Sequence, residues 1–344
     1  MSKLIIILII IAAVGSIFGL MVTETWNPSW NPFGENSQGI LEKSLAKNVL
    51  AKTQKTEGNL TLVLNNKEID STFTVGLNFS GGQDQKDSQN QKGFFDFDLI
   101  FETGGMEISS EGELRRIGDD FYLKLGSIPI LPLLGIPMTE LEDEWILIEN
   151  KDIEEEGAIK KEQFQQFFQE IKNALSSRRI FLFSDNLGEE KVRGEDCYHY
   201  LVELNKEELK TLIPQLLENM EKYIPQSQKE EYQEKLDEAL ENFSAKFDQF
   251  SQQIGRISFE VWIDKNEDYF RRIKGEKEID LSLFESFQET EAKDILLDSS
   301  FDIYFFDFGK PVEVEVPEDA KNINELMSTE NIFNSSLFEN LPAQ

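Results

Sequence analysis

The chain has 344 residues, with 65 acidic against 34 basic side chains and a formal net charge of -31. That charge repels phosphate backbones and sets nucleic acid aside as a partner. A single cysteine, Cys197, excludes an internal disulfide, while 40% hydrophobic residues, with 27 phenylalanines among them, suffice for a large core.

The chain opens with Met1-Ser2-Lys3 and then an uncharged apolar run, Leu4 to Val22, whose only polar residue is Ser16. A helix needs about 20 apolar residues to cross a bilayer core, and this run meets that length. The rival reading is a signal peptide, with Ala13-Val14-Gly15 as a small-residue cleavage site. The run continues through Phe18, Leu20 and Met21, which favours a retained anchor over residues 1–22. A lipoprotein signal needs a cysteine just after the run, and there is none. Lys3 lies before the run and the next basic residue is Lys43, so the N-terminus is expected in the cytoplasm and the bulk outside the cell membrane. Trp26, Trp30 and Phe33 make residues 23–37 an expected interfacial tether.

Residues 38–55 are predicted as a helix, with Ile40, Leu41, Leu45, Val49 and Leu50 on one stripe and Gly58 as its stop. The period then changes to two. Leu60, Leu62 and Leu64 alternate with polar residues, as do Phe73, Val75, Leu77 and Phe79, and then Phe95, Phe97, Leu99 and Phe101. Strands with one apolar and one polar face belong to antiparallel sheets that cover a core on one side. GGQDQKDSQNQKG, 81–93, is predicted as a loop, and further strands are expected at 106–117, 119–125 and 143–149. A helix at 160–175 carries Phe164, Phe167, Phe168, Ile171 and Leu175 on one face. Strands are predicted at 179–184 and 196–204, and helices at 206–223 and 226–250. Pro225 separates those helices. The last third is predicted as strands at 256–264, 269–283, 293–307 and 312–316, then a short helix at 318–328 and a frayed tail at 329–344. No internal repeat and no long linker divides residues 38–328.

Three segments carry a family resemblance. GEDCYHYLVELNKEELKTLI resembles the middle hairpin and following helix of LppX/LprG-like and LolA-like extracytoplasmic proteins. FEVWIDKNEDYFRRIKGEKEIDL resembles their hairpin with a tryptophan before an Ile-Asp-Lys turn, and PVEVEVPEDAKNINEL their C-terminal strand. The segments stand in the family's order and cover most of 190–327, whereas the N-terminal half matches in pattern alone. The chain departs from the family in its N-terminal helix, in lacking a lipid-modified cysteine and in an extra helix near 226–250. The resemblance implies a bacterial envelope protein of α+β class, with a curved antiparallel half-barrel sheet wrapped around helices and an apolar cavity for acyl chains. Here that sheet is preceded by one N-terminal transmembrane helix.

On this reading the cavity candidates are Phe73, Val75, Leu77, Phe95, Phe97, Leu99, Phe101, Leu212 and Leu216. The segment IPILPLLGIPM, 128–138, is apolar but broken by prolines, so it can form neither a helix nor a central strand. It is either a buried connection or a mouth, with Ile128, Ile130, Leu131, Leu133, Leu134 and Ile136 at the opening. Cys197 and His199 share a strand face, but no oxyanion-hole signature accompanies them, and two partly buried strand residues explain the pair. Asp264, Asn266 and Asp268 mimic a calcium loop that lacks its required glycine and final glutamate, so a polar turn explains them. The acidic runs read as solvated faces or as a dock for a basic partner.

The function expected is binding of a lipid or acyl chain in a cavity between sheet and helices, by a protein held to the membrane through residues 4–22. No cofactor, metal or enzyme chemistry is expected. The alternative is a sensory or scaffold domain of the same fold with a filled core, acting through protein contacts.

Overall fold

The computed structural model describes residues 37–67, 70–87, 90–127, 142–148, 166, 170, 178–224, 229–241, 243–281 and 295–322. The expected anchor at 4–22, the mouth candidates in 128–138, the helix at 160–175 apart from helical Gln166 and Glu170, and the tail at 329–344 lie outside them. Among the described residues no helix is long and apolar enough to cross a membrane.

Among the described residues twelve strands form one sheet: β1 (Thr53–Asn66), β2 (Ser71–Asp84), β3 (Lys92–Thr103), β4 (Met106–Ile117), β5 (Asp120–Leu125), β6 (Trp145–Ile148), β7 (Phe181–Val192), β8 (Glu195–Leu204), β9 (Ser258–Asp264), β10 (Phe270–Asp280), β11 (Ile295–Phe306) and β12 (Lys321–Asn322). Their order is β12-β6-β5-β4-β3-β2-β1-β11-β10-β9-β8-β7. Every pairing is antiparallel except β12 with β6. The sheet is large, curved and unclosed, as the α+β half-barrel reading expects. Tight turns join its neighbours. Gly104-Gly105 links β3 to β4 and Arg193-Gly194 links β7 to β8, and all four residues have the positive φ that a two-residue hairpin turn requires.

Among the described residues four α-helices of eight residues or more accompany the sheet: α1 (Ser37–Val49), α2 (Lys206–Met220), α3 (Lys229–Glu241) and α4 (Phe243–Ile254). α1 is stitched to the sheet at both ends by side-chain amides. Gln38 Nε2 donates to the Phe181 carbonyl at 3.2 Å, and its Oε1 accepts the Phe183 N–H at 2.7 Å. The amide thus stands in for a neighbouring strand on edge strand β7. Asn48, itself buried, accepts the Phe270 N–H at 2.8 Å and donates to the Phe270 carbonyl at 3.3 Å. α2 begins where Asn205 Oδ1 accepts the Glu208 N–H, a side-chain cap. Lys206 Nζ donates to the carbonyls of Ser251 and Gly255, closing the C-terminal end of α4 with a cation. The core holds Leu41 of α1, Leu209 and Leu212 of α2, and Phe247 of α4 against Phe181, Val202, Val261, Ile263 and Ile273 of the sheet.

Several sequence expectations change. Gly58 does not stop a helix; it lies in the middle of β1, opposite Phe79 and Ile303. A Cβ there would stand 2.6 Å from the Asp302 carbonyl, so the neighbouring strand itself demands the glycine. Leu50 lies beyond α1 and is exposed. Gly81 and Gly82 are not loop but strand, paired with Thr56 and Lys55. The strand predicted at 179–184 runs on to Val192, past register shifts at Phe183/Asp185 and Asn186/Gly188. Residues 312–316 form no strand; Val312 is buried against β2 near Gly82 without a ladder. Where a helix was predicted from 318, Lys321 and Asn322 pair with Ile146 and Leu147.

Candidate functional site

Strand registers place side chains in rows across the sheet. One row runs Phe305, Thr56, Gly81, Phe95, Leu114, Leu123, Ile146. The next rows along β1 to β4 are Gly58, Phe79, Phe97, Gly112, then Leu60, Leu77, Leu99, Ser110, then Leu62, Val75, Phe101, Ile108. All of these point to the face that carries the helices, here called inner. None of them is charged.

Seven of the sequence-predicted residues therefore come together: Phe73, Val75, Leu77, Phe95, Phe97, Leu99 and Phe101 share this face on two adjacent strands. None is buried, and Phe73 is 37% exposed. Leu212 and Leu216 lie apart from them. Leu212 is in the packed core and Leu216 rests against it, under the β7–β10 part of the sheet. Further residues that were not singled out as site residues join the seven, among them Leu60 and Leu62 on β1, Phe79 on β2, and Ile108 and Leu114 on β4. The β1 pair showed the period of two. On β4 the small residues Ser110 and Gly112 interrupt it, and only register recovers the face.

The aromatic rings lie down on the sheet because glycines on the next strand leave room for them. A Cβ at Gly112 would stand 2.2 Å from the Phe97 ring; at Gly58 it would be 3.0 Å from Phe79, and at Gly81 3.3 Å from Phe95. A ring over a glycine covers the exposed backbone and supports the strand. Phe79 and Phe95 stack with centroids 5.7 Å apart, and Phe95 and Phe97 lie 6.0 Å apart. The result is a smooth aromatic trough. From Phe95 to Phe101 it runs about 20 Å along the strands, and from β1 to β4 about 14 Å across them.

The outer face is the reverse. Across the same strands it carries Glu57, Asp96, Asp98, Glu111 and Glu113. A hollow of about 640 Å3 opens among these residues, Lys124 and Tyr304. It is acidic and lined chiefly by outer-face side chains, so it is not the apolar cavity that the sequence suggests between sheet and helices. Arg115 bridges Asp96 at 2.5 Å and Glu113 at 2.6 Å.

The residues that resemble catalytic or metal groups have structural partners. Cys197 is wholly buried on the outer face, and that burial pushes its thiol up to about 11, with the nearby Asp264 carboxylate adding to the rise. It stays protonated at neutral pH and is no nucleophile. His199 lies over Trp262 at 4.2 Å between ring centroids, with Nε2 2.6 Å from Glu260 Oε2. The Arg272 guanidinium covers the Trp262 and Tyr304 rings and binds both oxygens of Asp302. Asp264 closes the β9–β10 turn. Its Oδ1 accepts the N–H groups of Asn266 and Glu267, and its Oδ2 accepts two bonds from Arg271. Burial would raise its pKa, but these donors outweigh burial and hold the carboxyl below its ordinary value. Both oxygens are committed, so the loop is a turn. Among the described residues no group of His, Cys, Asp and Glu could hold a metal ion.

No family model and no curated protein matches the chain. Among solved structures it is similar to the lipoprotein LppX of Mycobacterium tuberculosis, at 11% identity and a TM-score of 0.32, over 81% of this chain and 97% of that one. It is also similar to LprF from Mycobacterium bovis, at 11% identity and 0.34, over 83% and 97%. A third is a DUF1329 family protein from Desulfovibrio piger, at 11% identity and 0.16, over 77% and 88%. The first two fall in the group of proteins that the three sequence segments resemble.

Proposed function

We propose that the chain binds the acyl chain of a lipid or lipoprotein in the inner trough of β1–β4, while Leu4–Val22 holds it at the outer surface of a cell membrane. One observation carries the reading: a contiguous, uncharged, aromatic face is left half exposed in a chain of net charge -31. Contiguous exposed apolar patches of a few hundred Å2 mark interaction sites on soluble surfaces. The dimensions favour one acyl chain. A bilayer core is about 30 Å thick, so the chain of one leaflet spans about 15 Å, within the trough's length. The acidic outer face keeps the other side of the sheet in water and repels anionic headgroups. The driving force is removal of methylenes from water, about 0.8 kcal/mol for each one buried.

The test is native mass spectrometry of the full chain released from detergent. Lipid adducts are expected, and shortening the offered acyl chain by two carbons should weaken binding by about 1.6 kcal/mol. A clean apo mass with no uptake of a fluorescent fatty acid would sink this reading and leave the scaffold alternative. The intact mass of the membrane-bound protein also tests the anchor: a species lacking residues 1–15 would show that the apolar run is a cleaved signal.

A further inference from the structure

The two ends of the trough differ. At one, Gln54, Thr56 and Gln83 are buried. At the other, Phe73, Thr103 and Met106 share the last row of the inner face, with Phe73 37% and Met106 66% exposed. The Phe73 ring lies 6.5 Å from the Phe101 ring, so this open rim leads directly into the trough. The β3–β4 hairpin ends here in Thr103-Gly104-Gly105-Met106, four residues without a charge. The first charges behind the tip, Glu102 and Glu107, stand opposite each other on the outer face, away from the trough. The tip thus offers side chains that gain by leaving water, and a carboxylate pair one residue behind resists any deeper entry into hydrocarbon.

The chain enters the fold near the same rim. Gln38, at the start of α1, accepts the Phe183 N–H. Phe183 shares a row with Val202, Phe259 and Phe301, and through them with Leu60 and Leu99 of the trough. That row is about 13 Å from the open rim, four residues along β3. From it α1 runs away from the rim, to Asn48 at Phe270. The expected anchor, Leu4–Val22, and the aromatic residues Trp26, Trp30 and Phe33 precede Ser37 in the chain. The open rim therefore lies on the side of the domain from which the chain arrives.

We propose that the rim at Phe73 and Met106 is a membrane-docking surface, and that the acyl chain enters the trough through it, directly from the outer leaflet. This rests on the acyl-binding reading and on the anchor, and adds where the ligand comes from and which bilayer supplies it. The contact is shallow, with the hairpin tip at the level of the headgroups. Glu102 and Glu107, together with the net charge of -31, disfavour an anionic surface, so the partner is a zwitterionic bilayer.

The full chain is reconstituted in phosphatidylcholine vesicles that contain doxyl-labelled lipid. Met106→Cys carries a nitrobenzoxadiazole label, and Lys92→Cys, at an exposed position on the opposite rim, is the comparison. Cys197 is buried and stays unlabelled. The label at position 106 should lose most of its fluorescence to the doxyl lipid, and the label at position 92 little. Uptake of a fluorescent fatty acid from the vesicles should slow about tenfold in Met106→Asp, the scale of one apolar side chain withheld from the bilayer. The same variant should bind the acid from detergent as the wild type does, which also shows that it folds. Equal quenching at both positions, or quenching at neither, would overturn the docking surface and leave the trough standing. So would unchanged uptake by Met106→Asp. Stronger quenching at position 106 in phosphatidylglycerol vesicles would overturn the choice of a zwitterionic bilayer. No binding of the acid by the wild type from either medium would overturn the acyl-binding reading, and entry through the rim with it.

Discussion

β8–β10 and β2–β4 show the same alternation and end in opposite states. On β8–β10 the inner residues Val202, Val261, Ile263 and Ile273 are at most 1% exposed, packed under α1, α2 and α4. On β2–β4 the inner residues are longer and more aromatic, yet Phe73 is 37% and Met106 66% exposed, and no residue of these three strands belongs to the hydrophobic cluster under the helices. An alternating pattern thus specifies which face is apolar, and the placement of helices decides whether that face becomes core or surface. The outer faces differ too. Over β8–β11 a cation–aromatic stack of His199, Trp262, Arg272 and Tyr304 closes the surface, whereas β1–β4 presents carboxylates, with Asp98 directly opposite Glu111. Like charges directly opposite destabilise a strand pair, so the trough half of the sheet has less cohesion from both of its faces.

The strongest way to break this comparison is to place one carboxylate in each half. Val261→Asp would bury an unpaired carboxyl in the filled half, at a cost comparable to the whole stability of a marginal domain, about 5 kcal/mol. The expected outcome is an unfolded or insoluble chain by circular dichroism. Phe97→Asp puts the same charge on the half-exposed face, where water reaches it. That variant should fold and lose acyl binding. If Phe97→Asp unfolds the chain as Val261→Asp does, the two halves are one solid core and the trough does not exist.

A second contrast lies within the filled half. Arg271 is the extra residue at the β9–β10 bulge, between Phe270 and Arg272. Its guanidinium reaches Asp264 Oδ2 at 2.6 Å, and Asp264 is 1% exposed. Arg271→Met leaves that carboxylate buried without its cation, a change that costs about 3–5 kcal/mol. Urea midpoints should show this. The pH dependence has a fixed sign. The folded carboxyl of Asp264 is held below its ordinary value by the Glu267 and Asn266 N–H groups and Arg271, against the opposing effect of burial. Its contribution is therefore complete above the ordinary carboxylate range and is lost as pH falls through the lower folded value. In Arg271→Met the loss should begin at higher pH. An identical acid transition in variant and wild type would mean that the pair does not hold this turn.

The period of two made β1, β2, β3, β8, β9, β10 and β11 legible in the sequence, and Gly104-Gly105 marks the β3–β4 turn. What escaped depends on neighbours distant in sequence. Gly58 and Gly81 read as breakers, but each is a strand residue whose missing side chain makes room for a phenylalanine ring on the next strand. β7 lost its alternation to two register shifts on an edge strand, where bulges are common. The stretch 312–316 alternates perfectly well, yet it meets no partner strand. For the candidate site, the strand residues were found because alternation names a face directly. Leu212 and Leu216 were assigned to the same cavity because a helical stripe shows that a face is buried, but not which part of the sheet buries it.

The smallest effect sharpens the comparison most locally. Gly112→Ala adds one methyl group to β4, 2.2 Å from the Phe97 ring. The strand conformation itself accepts alanine, since Gly112 lacks the positive φ of the turn glycines. The cost is therefore the displacement of the ring, about 1–3 kcal/mol for overpacking in a tight contact. In a solid core the ring would have nowhere to go, and the whole cost would appear as lost stability. In a trough the ring can swing up into open space, so the stability loss should fall at the low end of that range. The upright ring would then stand across the trough, and long acyl chains should lose more affinity than short ones. Thermal melts and a chain-length series on the same variant measure the two parts separately. A full stability loss with unchanged acyl affinity would place Phe97 in packed core after all.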